Sequence, residues 1–343
     1  MNFIAGIILS FITVLVLVFI PFVGMQVANL QVLFGVIIPY AAIAIFLVGV
    51  VGRLLLWSFS AVPFRIPTTA GQQKSLSWIK PSKIENPSSA AGVFGRMLLE
   101  VLLFRSLFRN STMEFREGPR VTYEWEKWLW LSAILFHYSF AVVLIRHLRF
   151  FTQPVPAFVT LLESLDAFMH AGIGPLPGLM LPGMYLSGIV LLAAAGYLFL
   201  RRVYIPSVRY ISLPTDYFPL FLIIAIATTG ILMRYLLKVD VVSVKELALG
   251  LVTFHPIVPQ GIGVLFYMHL FSVCCLFAYF PYSKLVHFVG VFLSPTRIMA
   301  NNNRFVRHVN PWNYPVEVHT YDEYEEEFRE KMVEAGIPVE KEE

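Results

Sequence analysis

WLWLSAILFHYSFAVVLIRHLRFF (Trp128–Phe151) and GIGVLFYMHLFSVCCLFAYFPYSKLVHFVGVFL (Gly261–Leu293) share four histidines: His137 and His147 in the first stretch, His269 and His287 in the second. Both stretches are apolar over at least the ~20 residues that a helix needs to cross a bilayer. Ionisable side chains inside a membrane are costly to place, so they point to function before structure. If the two stretches cross in opposite directions, His147 meets His269 at one depth and His137 meets His287 at another.

The rest of the chain agrees with a membrane setting. Of 343 residues, 57% are hydrophobic and only 14% charged. A soluble domain carries about 25% charged residues. The net charge of +4 does not point to nucleic acid, because the basic residues gather in connections, where they report topology. Cys274 and Cys275 are adjacent, which fits neither a disulfide framework nor a CxxC site. They read as small apolar packing residues.

Six segments are long and apolar enough to span: Phe3–Val23, Leu30–Trp57, Leu129–Phe151, Pro182–Leu200, Tyr217–Leu237 and Gly261–Leu293. The last contains Pro281, which predicts a kink. The first lacks the basic start of a signal peptide and is long for one, so it reads as a span. Arginine and lysine are dense between Ser58 and Trp128, around Arg201, Arg202 and Arg209, and at the start of the tail (Arg297, Arg304, Arg307). The alternate connections are poor in both. That bias predicts a multi-pass protein of the cell membrane with both termini in the cytoplasm.

The expected fold is therefore an all-α integral membrane bundle of six spans. Residues 1–57 hold two N-terminal helices, 58–128 a cytoplasmic loop, 129–293 the histidine-bearing spans, and 294–343 a cytoplasmic tail. Within the loop, AAGVFGRMLLEVLLFRSLF (Ala90–Phe108) reads as one helix lying at the inner surface. Arg96, Glu100 and Arg105 argue against a seventh span. The tail, ending YDEYEEEFREKMVEAGIPVEKEE, is too polar to pack a core and reads as a docking arm for a cytoplasmic partner.

Neutral imidazole is a strong nitrogen ligand, and its second ring nitrogen can hydrogen-bond to fix the ring. Two facing imidazoles at each of two depths can ligate two haems axially, leaving no open position on either iron. No CxxCH attachment motif is present, so the haems would be b-type. His147 and His269 would hold the outer iron, and His137 and His287 the inner. Ten residues of helix rise about 15 Å and eighteen about 27 Å, which predicts irons about 21 Å apart along the normal. On an unbroken helix His269 and His287 share a face, whereas His137 and His147 diverge by about 80°.

Other readings fit less well. A zinc or copper site needs clustered donors. A proton relay would want interleaved carboxylates, which neither span offers in its interior. A transporter would show inverted repeats or paired broken helices, and a mere anchor would need one span. Arg146, Arg149 and Arg234 at the outer side, and Lys127, Lys284 and Arg297 at the inner, are candidates for the haem propionates or else charges snorkelling at helix ends. His170, His255, His308 and His319 read as surface residues. No catalytic residue can be named.

The His–x9–His and later His–x17–His spacing resembles the haem-binding gamma subunit of respiratory nitrate reductases over Trp128–Leu293. VPFRIPTTAGQQKSLSWIKPSKIENPSS, VLLFRSLFRNS and the tail from MANNNRFVRHVNPWNYPVEVHT onward extend the likeness. With them, nearly the whole chain resembles the DsrM-type cytochrome b subunit of sulfite-reduction-associated membrane complexes, the Hdr-like menaquinol-oxidising type in archaea. The resemblance implies menaquinol or menaquinone as exchangeable substrate. It implies a cytoplasmic iron–sulfur partner similar to heterodisulfide reductase, a second quinone-reactive membrane subunit and a multihaem cytochrome c. It also implies the histidine pairing given above.

Overall fold

A computed structural model describes residues 3–60, 71–118, 120–168, 184–306 and 319–340. Six of its helices are long and apolar enough to cross a membrane: Phe3–Ala28, Leu33–Ser58, Lys127–Phe151, Leu186–Tyr204, Pro214–Leu236 and Val264–Tyr282. His170 and His308 lie outside the described residues; His255 and His319 are exposed.

The first helix, α1 (Phe3–Ala28), shows how the bundle is held. Gly6, Ser10, Val14, Val18 and Met25 are buried, while Ile8, Leu9, Phe11, Ile12, Val16 and Phe19 face outward. Large apolar side chains outside and small ones inside is what a lipid-facing helix requires, because lipid tails are as apolar as leucine and helices associate through close packing. The Ser10 hydroxyl donates to the Gly6 carbonyl at 2.8 Å and so stays satisfied.

A π-helical turn (Leu33–Ile37) leads into α2 (Ile38–Ser58). In the long loop, the run expected as one helix is two. Helix α3 (Ala90–Leu103) is capped by Ser89, whose Oγ accepts the Gly92 N–H at 3.3 Å. It ends at Phe104, which adopts the left-handed conformation (φ 49°, ψ 46°), and α4 (Arg105–Phe108) follows in a new direction. The next helix supplies the reason for the break. Its Tyr138 hydroxyl and Trp130 indole N–H donate to the carbonyls of Leu102 and Leu103, both at 2.8 Å. These are helix-end carbonyls that would otherwise lack partners.

A hairpin that the all-α expectation missed follows: β1 (Ser111–Arg116) pairs antiparallel with β2 (Arg120–Trp125). Its register puts Met113 opposite Tyr123 and Phe115 opposite Val121, on one face with Trp125. Then comes α5 (Lys127–Phe151), with α6 (Ala157–Asp166) folded back on it. A two-residue ladder, β3 (Ala167–Phe168) with β4 (Met184–Tyr185), precedes α7 (Leu186–Tyr204). The short α8 (Pro206–Ile211) connects to α9 (Pro214–Ile231), which continues as a π-helical turn (Leu232–Leu236). Helix α10 (Val241–Val252) then packs against α5.

The sixth span differs most from expectation. Helix α11 runs only from Val264 to Tyr279. After it come 3-10 turns at Phe280–Tyr282 and Lys284–Val286, the four-residue α12 (His287–Gly290) and another turn to Leu293. Pro281 has no N–H to continue the ladder. Ser283 is extended (φ −118°, ψ 176°), and its Oγ accepts the Leu285 N–H at 3.1 Å, starting a fresh turn. So His269 and His287 do not share one continuous helix, and the separation reckoned from eighteen helical residues does not apply.

Beyond the bundle, α13 (Pro295–Ile298) packs on α3, where Arg297 pairs with the buried Glu100 at 3.2 Å. Asn301 is buried between Gln73 and Asn86, with amide hydrogen bonds of 2.9 and 2.8 Å. These contacts join the start of the tail to the loop. The tail also forms α14 (Tyr321–Glu334), whose Thr320 and Glu323 make a reciprocal capping box. In the loop, burial would raise the Glu85 carboxyl, but Arg105 and Arg109 both bind it and hold it below the usual carboxylate range.

Candidate functional site

On α5 the two histidines use the same local device. His137 Nδ1 lies 2.7 Å from the Ala133 carbonyl, and His147 Nδ1 lies 2.7 Å from the Val143 carbonyl. A carbonyl only accepts, so Nδ1 carries the proton in both rings. His287 Nδ1 meets the Lys284 carbonyl at 2.9 Å and follows the same logic. His269 differs: its Nδ1 lies 2.9 Å from the Thr229 hydroxyl of α9. In all four rings the nitrogen left over is Nε2.

The rings come together in two pairs. The centroids of His137 and His287 are 6.0 Å apart with planes crossed at 84°. Those of His147 and His269 are 6.5 Å apart with planes within 13° of parallel. The middle of α5 thus meets the end of the sixth span, and the last turns of α5 meet α11, so the two run antiparallel. A metal between two imidazoles sits about 2 Å from each nitrogen, which puts the ring centroids about 6 Å apart. Both pairs have that separation. Among the described residues no cluster of three or more His, Cys, Asp or Glu could hold a metal ion, so pairs are what these residues offer.

The surroundings are apolar. Helix α5 packs chiefly on α7, α10 and α6, and α11 on α1, α2 and α9. The two histidine-bearing helices are therefore held by others rather than by each other. Behind them, Leu191, Ile223 and Ala227 of α7 and α9 form a buried patch. Phe136, Phe140 and Val143 of α5 and Leu276 of α11 pack on it from either side. The His137 ring also meets Phe104 edge-on at 4.9 Å, so the left-handed break between α3 and α4 delivers an aromatic side chain to the site.

Irregular chain around His287 is braced from two helices. On α2, a Cβ at Gly49 would lie 2.6 Å from Pro281 Cβ, so only glycine permits the approach. One turn on, Arg53 Nε donates to the Pro281 carbonyl at 3.1 Å, and the Trp57 ring faces Gly290. On α9, the buried Asp216 binds Lys284 at 2.7 Å and accepts the Leu213 N–H at 3.0 Å.

Five of the six charged residues expected near propionates already have partners. Arg146 sits 3.1 Å from Asp166 and stacks on the Tyr185 ring at 3.8 Å. Arg149 pairs with Glu163 at 2.8 Å, and Lys284 with Asp216. Arg297 pairs with Glu100. Arg234, in the π-helical turn, also lies over the Tyr185 ring, at 4.9 Å. Sequence reasoning missed Asp166, Tyr185, Thr229, Gly49 and Asp216. Asp166 is two-fold bonded by the N–H and hydroxyl of Ser187 (2.8 and 2.6 Å).

The two imidazole pairs, each with Nδ1 committed and Nε2 spare, join α5 to α11 and to the short turns after it, and each pair can offer a metal one nitrogen from either side. Residues 93–308 match the model of the nitrate reductase gamma subunit family, and the chain belongs to that family. More particularly, it is 47% identical over 289 residues to the Hdr-like menaquinol oxidoreductase cytochrome b-like subunit of Archaeoglobus fulgidus, covering 82% of this chain and 84% of that one. The subunit of the same name from Archaeoglobus profundus is 44% identical over 282 residues, covering 80% and 81%.

Proposed function

We propose that this chain is the di-haem cytochrome b subunit of a menaquinol oxidoreductase of the cytoplasmic membrane. The observation that carries the reading is the two imidazole pairs at 6.0 and 6.5 Å. His147 and His269 hold the outer haem iron, and His137 and His287 the inner. Haem b at both places supplies one-electron transfer between the two sides of the membrane. The names of the two Archaeoglobus relatives support menaquinol as the quinone.

The chain's own residues do the positioning. Each Nδ1 hydrogen bond fixes a ring and its tautomer, and raises the basicity of Nε2 toward a metal. Two histidines at each site would hold the metal from both sides and would keep substrate off it. The apolar walls from α7 and α9 keep water away and lower the local dielectric. Arg234 and the Arg146–Asp166 pair offer charged groups at the outer end, where a propionate or a quinol oxygen can be bound.

The chain divides into two N-terminal spans (1–57), a cytoplasmic loop (58–128), the haem-bearing spans (129–293) and a cytoplasmic tail (294–343). Menaquinol is oxidised at the outer end, releasing its protons there. The electrons leave inward to an iron–sulfur partner similar to heterodisulfide reductase, linked to sulfite or sulfate reduction. A second quinone-reactive membrane subunit and a multihaem cytochrome c complete the complex. The tail's docking on the loop, through Arg297 to Glu100 of α3 and through Asn301 to Gln73 and Asn86, supports a built surface on the side where this partner binds.

The test is a dithionite-reduced minus oxidised visible spectrum of the membrane-purified chain, with haem counted per polypeptide. Two b-type haems are expected, with one lost in His147→Ala and the other in His137→Ala. A folded, partner-bound sample without haem would overturn the reading.

A further inference from the structure

We propose that Thr229 is a positioning residue for His269 and makes the outer haem the one whose properties a single side chain controls. This rests on the di-haem reading. The four ligand candidates differ in what holds their Nδ1. For His137, His147 and His287 the acceptor is a backbone carbonyl three or four residues earlier in the same segment. No side-chain substitution can remove such an acceptor. His269 alone meets a side chain, Thr229 on a different helix, alongside the Ile226 carbonyl of that same helix.

The direction of the bond follows when the hydroxyl's own proton goes to the backbone of α9. Thr229 is buried, and its Oγ donates to the Ala225 carbonyl at 2.8 Å, with the Ile226 carbonyl at 3.0 Å. A hydroxyl has one proton and two lone pairs. With the proton spent on α9's own backbone, Oγ can only accept from His269, at 2.9 Å. Nδ1 must then carry its proton, and Nε2 presents its lone pair. Gly230 completes the seat: a Cβ there would lie 3.4 Å from His269 Cε1, so the ring rests against the backbone of α9. The bond therefore couples α9 to α11 at the ligand itself. A hydroxyl is also a different acceptor from a carbonyl, so the two ligands of this pair, His147 and His269, are unequal in basicity.

The test compares Thr229→Val, which keeps the shape and removes the oxygen, with Thr229→Ser, which keeps the oxygen. Each is made in the full chain and purified from membranes with its partner subunits. The readouts are the two low-spin haem signals in electron paramagnetic resonance and the rate at which each haem is lost to apomyoglobin. In Thr229→Val the signal that disappears in His147→Ala should shift, and that haem should be retained roughly tenfold less well. The other signal should stay, and Thr229→Ser should restore both readouts. Unchanged signals in Thr229→Val overturn the inference while leaving the di-haem reading intact. Equal changes at both haems also overturn it, since they show loosened packing rather than control of one ligand. A wild-type sample without haem overturns the reading on which it rests.

Discussion

At one end of the paired helices, His147 and His269 both project from unbroken helix; at the other, His137 does so but His287 sits on a chain of short turns after Pro281. The two pairs are nonetheless within half an ångström of the same ring separation. At the first end, geometry comes from local helix plus one cross-helix bond from Thr229. At the second, it comes from contacts far apart in sequence: Gly49, Arg53 and Trp57 on one stripe of α2, and Asp216 on α9. Equal geometry by unequal means teaches that the second span, which carries none of the four histidines, is part of the site. It braces the segment that helix propensity alone would leave free.

Gly49→Leu tests this most severely. Any Cβ there overlaps Pro281, and neither the proline ring nor α2 has a flexible end to give way. Overpacking of this kind costs about 1–3 kcal/mol or more. The expected result is loss of the haem proposed for His137 and His287 with the other retained, read as haem per polypeptide. Equal loss of both would break the division between the ends. Asp216→Ala should act next most strongly. It removes two hydrogen bonds of a buried carboxylate, for about 1–2 kcal/mol, much of its ion pair being discounted because Lys284 is largely exposed. Thermal loss of the haem signal at that end should come earlier, without change at the other. Arg53→Leu removes one hydrogen bond, for about 1 kcal/mol, and should act in the same direction.

That asymmetry also marks how far the chain could be read before its structure. Six spans were legible because twenty apolar residues have few other uses, and the histidine pairing because two antiparallel crossings allow only one match by depth. The end of α11 was not. Pro281 signals a kink and a stop equally, and the choice rests on Ser283 opening a new turn and on braces more than two hundred residues away. The break at Phe104 was hidden for the same reason: the Leu102 and Leu103 carbonyls find partners on α5, which no local pattern reveals. Thr229 was overlooked because a threonine in a span usually satisfies itself on its own helix, as this one also does. The hairpin had a visible signal, the alternation of Met113, Phe115, Val121, Tyr123 and Trp125 about Gly118. It was passed over in a chain dominated by apolar length.

The smallest expected effect lies in the loop, where Glu85 ties the segment before α3 to Arg105 and Arg109 of the turn that carries Phe104. Since Phe104 touches His137, the loop belongs to the irregular end of the site. Burial opposes the charge on Glu85, and the two arginines outweigh it, so its folded pKa lies below the unfolded one. A group shifted down stabilises the fold above its unfolded pKa, and that contribution fades as pH falls from there toward the folded pKa. Acid should therefore loosen the loop in the range below the ordinary glutamate pKa of about 4.3. Hydrogen exchange over Ala90–Phe108 should rise in that range in the wild type. Glu85→Gln should show the raised exchange already at neutral pH and lose most of the dependence. Loosening of the His147 end by the same acid step would show that the loop acts on the whole bundle and not on one end of it.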